Sequence, residues 1–63
     1  MCLSTVYKNA KTPEAIVMKN VMALECRDGM VILTDLMERT MAIEGTLEMA
    51  NRVEGYVIVK EAE

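Results

Sequence analysis

The chain has 63 residues, 52% of them apolar, with ten acids against seven bases, two cysteines, two tyrosines as its only aromatics and no histidine. A domain this small buries only about 60% of its unfolded surface, and it has neither the several disulfides nor the zinc-finger spacing that staple mini-proteins, so association with a second chain is the support that remains. The net charge of −3, with Lys8, Lys11, Lys19, Arg27, Arg39, Arg52 and Lys60 scattered singly, supplies no basic face to replace phosphate counterions and argues against nucleic acid as a partner.

The opening LSTVYK reads as a first strand. TPEAIVMKNVMALE admits a helix, with Thr12 as N-cap, Pro13 at the first helical position and Glu14 behind it, but its aliphatic, β-branched content favours a strand. VMALEC and MVILTDL then flank Asp28-Gly29, the dipeptide that supplies positive φ in two-residue hairpins. In the second of these strands Val31, Leu33 and Asp35 share one face, and Met30, Ile32, Thr34 and Leu36 the other. MAIEGTLEM and YVIVK predict a second hairpin across ANRVEG, with Asn51 and Gly55 as the turn residues. The helical spacing of Ile43, Leu47 and Ala50 competes with that reading, and Gly45 weakens it. An isolated glycine inside a strand marks a bulge or a sharp bend, as a small closed sheet requires. The fold predicted is therefore all-β, about five to six strands in one domain over residues 1–63, with no repeat or linker.

After Met1 there is no charged stretch leading into an apolar run of roughly 7–15 residues, and nothing approaches the ~20 residues of a membrane span. A cytoplasmic location is expected, and there Cys2 and Cys26 are expected as thiols. An enzyme is hard to assemble without histidine or a glycine-rich phosphate loop. Asp35 and Glu38, the nearest thing to a carboxylate pair, read as solvated residues beside a turn. The seven methionines read as flexible core filler in a chain poor in aromatics rather than as soft-metal ligands, and Cys26 reads as a small buried hydrophobe.

Cys2 is different, because it precedes any structure that would bury it. One thiolate is an incomplete metal site, yet a twofold axis beside the first strand would bring two copies together. Two sulfurs with two adjacent backbone or terminal nitrogens make a four-coordinate set. Zinc favours thiolate with imidazole, which is absent, whereas Ni(II) and Cu(II) accept tetragonal sites with nitrogen donors.

MCLSTVY, Asn20-Val21, Asp28-Gly29, VILTDL at 31–36, EG at 44–45 and the closing YVIVK together resemble the CooT family of small proteins over nearly the whole chain. The resemblance implies a small SH3-like β-barrel that forms homodimers, binds Ni(II) and serves nickel delivery to carbon monoxide dehydrogenase or another nickel enzyme. It implies that Cys2 is the metal ligand, one thiolate per subunit, with the Leu3 backbone nitrogen as its neighbour in the set. Such a protein is an accessory factor and not an enzyme. Two other readings are an RNA-binding barrel, an older label carried by some members of the family, and an interaction adaptor that uses a sheet edge.

Overall fold

The computed structural model describes residues 3–62. Five strands, β1 (Ser4–Lys8), β2 (Ile16–Arg27), β3 (Met30–Asp35), β4 (Thr40–Asn51) and β5 (Tyr56–Glu61), follow one another around a closed barrel. Consecutive strands pair antiparallel, and β1 lies parallel to β5, with Thr5 opposite Tyr56 and Tyr7 opposite Ile58, to complete the circuit. The strand reading is borne out for both ambiguous segments. The Thr12–Pro13–Glu14 helix signal yields only a 3-10 turn over Pro13–Ala15, because Ile16 is already extended.

The two predicted turns form for the expected reasons. Asp28 and Gly29 take φ of 52° and 75°, and Arg27 faces Met30 across the two-residue loop, the double positive φ that suits the twist of a hairpin. At the other hairpin the Asn51 side-chain oxygen accepts from the Glu54 amide at 2.9 Å, the Gly55 amide donates to the Asn51 carbonyl, and Gly55 has φ 77°. An asparagine side chain thus imitates a turn of backbone.

Closure depends on β2 and β4, each twelve residues long and each serving two neighbours. β2 pairs with β1 up to Val21 and with β3 from Val21 onward; Asn20, at φ 57°, provides the bend. β4 pairs with β3 as far as Glu44 and with β5 from Gly45. Gly45 is therefore the point at which the strand changes partner, while the bulge sits between Leu47 and Met49. A Cβ at Gly45 would run into the Lys60 carbonyl oxygen and come within 3.0 Å of Glu61 Cα. Only glycine lets the two backbones approach this closely.

Val6, Val21, Val31, Leu33, Ile43, Val57 and Val59 fill the interior, with Val17, Met18 and Leu24 packed against them. Each such side chain contributes roughly 1.5–3 kcal/mol by leaving water. The expectation that methionines fill the core is corrected: Met22, Met37, Met41 and Met49 are exposed, and Met18 and Met30 are only half-buried. A five-stranded interior is narrow, and stiff β-branched residues on alternate inward positions already fill it.

Asp35 also overturns its expectation. It is 2% exposed, on the inward face it shares with Val31 and Leu33. Its Oδ1 accepts from the Met37 and Arg39 amides, each at 2.9 Å, and its Oδ2 from Arg39 Nε at 2.8 Å. One carboxylate thus satisfies the donors of the tight β3–β4 connection, and Glu38 beside it stays exposed at φ 66°. Burial pushes the Asp35 carboxyl up, but the Arg39 amide, the Arg39 guanidinium and the Met37 amide together hold it below its ordinary value.

Two predictions follow from these contacts. Gly29→Ala, which meets open space but keeps a left-handed φ, should cost about 1–2 kcal/mol. Gly45→Ala, which meets backbone, should cost ~3 kcal/mol or more; urea unfolding followed by circular dichroism ranks them, and equal losses would refute the close-approach argument. For Asp35, a folded pKa below the unfolded one means its stabilisation is complete above about pH 4 and vanishes as the pH falls through the lower folded value. Asp35→Asn should lower the melting temperature at pH 7 and flatten its decline below pH 4, whereas parallel pH profiles for variant and native protein would count against the assignment.

Candidate metal-binding chain start

The sequence places the candidate metal ligand at Cys2, which lies outside the described residues. The structure does fix the residues that follow it. Leu3 is half-buried and precedes β1, so its amide nitrogen lies outside the strand ladder that begins at Ser4. Its carbonyl oxygen lies against the β4–β5 turn, 3.4 Å from where a Cβ on Gly55 would stand, and the Thr5 amide donates to the Gly55 carbonyl at 3.0 Å. The start of β1 is therefore held between that turn and β2, where Ser4 faces Val21. A shallow cavity of about 110 Å³ opens beside Ser4 against Met22, Leu24 and Val57.

The arrangement matters for metal chemistry because a main-chain nitrogen already bonded in a ladder is a poor ligand, and Leu3 sits just before the ladder. The donor types offered by this stretch, a thiolate and peptide nitrogen, are those that suit a tetragonal Ni(II) or Cu(II) site. Binding metal releases a proton to solvent from each coordinating thiol and from each coordinating peptide N–H, since only the deprotonated sulfur or nitrogen coordinates.

Cys26 does not join this stretch. It faces Val31 near the far end of β2, five positions past the residue opposite Ser4, or roughly 17 Å along the strand. It is exposed, which corrects the reading of a buried small hydrophobe. β2 has by then run beyond the start of β1, and nothing in the β1 ladder covers it. Among the described residues, no three Cys, Asp or Glu side chains converge as a metal-holding group.

Four of the seven basic residues are paired with acids. Lys8 meets Glu61 at 3.6 Å, Lys11 meets Glu54 at 3.4 Å, Arg27 meets Glu25, and Arg39 meets Asp35. The exposed pairs contribute little to stability, but they leave few cations to gather phosphates. Tyr7 and Tyr56 pack edge to face, and Lys11 lies 4.2 Å above the Tyr56 ring. Both aromatic faces are thereby engaged within the chain. No helix among the described residues is long and apolar enough to cross a membrane.

Comparison with known proteins gives one strong match. A family model described as CO dehydrogenase accessory protein CooT aligns with residues 1–60, nearly the whole chain and including Met1 and Cys2. No curated protein matches the sequence.

Proposed function

The chain belongs to the CooT family of CO dehydrogenase accessory proteins, and from that premise we propose that it is a homodimeric Ni(II)-binding protein that carries nickel to carbon monoxide dehydrogenase or another nickel enzyme. The observation that carries this reading is the family match itself, which begins at residue 1 and so takes in Cys2. A single cytoplasmic domain over residues 1–63 holds the ion between two subunits. Cys2 supplies one thiolate from each, and the Leu3 main-chain nitrogen is the adjacent donor. The closed five-stranded sheet supports reading the fold as the SH3-like barrel that the resemblance implies.

Three features support the reading. Leu3 lies outside the strand ladder, so its nitrogen is available in principle to a metal. The start of β1 is held against the β4–β5 turn by the bond from the Thr5 amide to the Gly55 carbonyl. Finally, Met22, Leu36, Leu47 and Met49 are large apolar side chains left exposed. A second subunit would remove part of that surface from water, at about 25 cal/mol per Å². Nickel here is cargo, and the chain's part is to bind it reversibly. Each thiolate that takes a proton back weakens the grip, so affinity and release are both set by pH near the reference thiol pKa of about 8.5.

A nickel titration of native protein beside Cys2→Ala tests the proposal, with sulfur-to-nickel charge-transfer absorbance and stoichiometry as readouts. One ion per two chains is expected, with the absorbance abolished in the variant. Native affinity should rise by up to about tenfold per pH unit for each proton displaced, whether from a Cys2 thiol below its reference pKa of about 8.5 or from a coordinated Leu3 amide. Unchanged binding by the variant, or one full-affinity ion per monomer, would discard the shared site.

A further inference from the structure

Because β2 and β4 each change partner midway, each leaves half of an edge unpaired, and the two do not pair with each other. Their first halves face one another across an open groove of about 440 Å³, whose lining includes Val17, Met18 and Lys19 from one side and Arg39, Thr40 and Met41 from the other. The hydrogen-bond phase shows what β4 presents there. The Asp35 amide donates to the Arg39 carbonyl and the Gly45 amide to the Gly29 carbonyl, so the odd-numbered residues between them bond across the β3–β4 ladder. By the alternation of an antiparallel pair, Thr40, Ala42 and Glu44 turn their N–H and C=O groups away from β3. The Glu44 carbonyl is taken by the Ala62 amide at 2.8 Å. Thr40 and Ala42 are left facing the groove.

The groove is lined by two cations, Lys19 and Arg39, against one carboxylate, Asp35, a local excess of positive charge in a chain whose net charge is −3. Arg39 is anchored through Nε to the buried Asp35 carboxylate, while its side chain as a whole is 75% exposed. Among the described residues its two terminal nitrogens make no hydrogen bond or ion pair, and neither does Lys19. A guanidinium held by one edge presents its remaining donors in a fixed fork that matches a carboxylate. Beneath lie half-buried Val17 and Met18, and Met41 is 40% exposed, a thioether and aliphatic floor that adapts to varied side chains.

We propose that this groove binds an extended, acidic segment of a partner protein as an added strand. Its backbone pairs with the Thr40–Ala42 edge, its aliphatic side chains rest on Val17, Met18 and Met41, and a carboxylate meets Arg39 and Lys19. Main-chain pairing supplies affinity in this mode, and the side chains supply selection. The proposal rests on the groove alone and is independent of metal binding at Cys2.

The test is titration of the 15N-labelled full chain with the peptide acetyl-Val-Ile-Val-Glu-Asp-amide, followed by amide chemical shifts. Shifts confined to residues 17–20 and 39–42 are expected. N-methylation of alternate peptide amides should weaken binding about tenfold, as should Lys19→Glu, which leaves the Asp35–Arg39 contact intact. A peptide with lysine in place of both acids should not bind. Absence of binding at millimolar peptide, shifts elsewhere on the barrel, or indifference to N-methylation and to Lys19→Glu would each overturn the proposal. Self-association on concentration, reported by the same amides without peptide, would overturn it in favour of a second copy of this chain.

Discussion

The parallel ladder between the first and last strands is what turns a five-stranded meander into a closed sheet. Without it, β1 and β5 would be edges, and Val6, Val57 and Val59 would have one wall fewer around them. Its ends are set by local bonds: Thr5 donates to the Gly55 carbonyl at one end, and Asn9 donates to the Val59 carbonyl at 2.8 Å while its side chain accepts from the Glu61 amide at the other. Ladders between residues some fifty positions apart are entropically expensive to bring together. They are sustained here because β2 and β4 bend enough to curl the sheet, through Asn20 in one and the bare backbone of Gly45 in the other. The same ladder fixes Leu3 beside the Gly55 turn, so the geometry of the chain start follows from barrel closure.

Much of this architecture could be read from residues in isolation. Asp28-Gly29 and the Asn51 to Gly55 stretch dictate their turns by local conformational preference, and the alternation in MVILTDL sorts its residues onto two faces. Gly45 announced a bend, but not that the reason was the Lys60 carbonyl, which lies on another strand. Asn20 gave no local warning, because a left-handed asparagine is ordinary in a turn and unusual in a strand. Alternation put Asp35 on the face of Val31 and Leu33, but its charge argued for water, and only the amides of Met37 and Arg39 explain why it can be buried. Methionines misled because a composition poor in aromatics calls for filler, whereas a narrow barrel does not. Of the candidate metal site, Leu3 is now located, while Cys2 lies outside the described residues.

The division of labour between inside and outside also explains the composition. A chain that is 52% apolar encloses seven buried aliphatic residues and leaves a comparable number of large apolar side chains on its surface. Acidic residues, several of them paired with neighbouring cations, separate those side chains and restrain indiscriminate association. The two proposals use different parts of this surface. The proposed nickel site lies at the end where β1 begins, and the proposed strand addition uses the seam between β2 and β4.

Placing the thioethers outside has a chemical consequence of its own. Oxidation to sulfoxide makes a methionine polar, and in a packed interior that change opens the core to water. Here Met37 and Met49, the most exposed of the described methionines, are not among the residues packed against the core, and the buried cluster is valine, leucine and isoleucine, which offer nothing to oxidise. Peroxide therefore changes what the outer wall of this barrel can hold before it touches what keeps the barrel together.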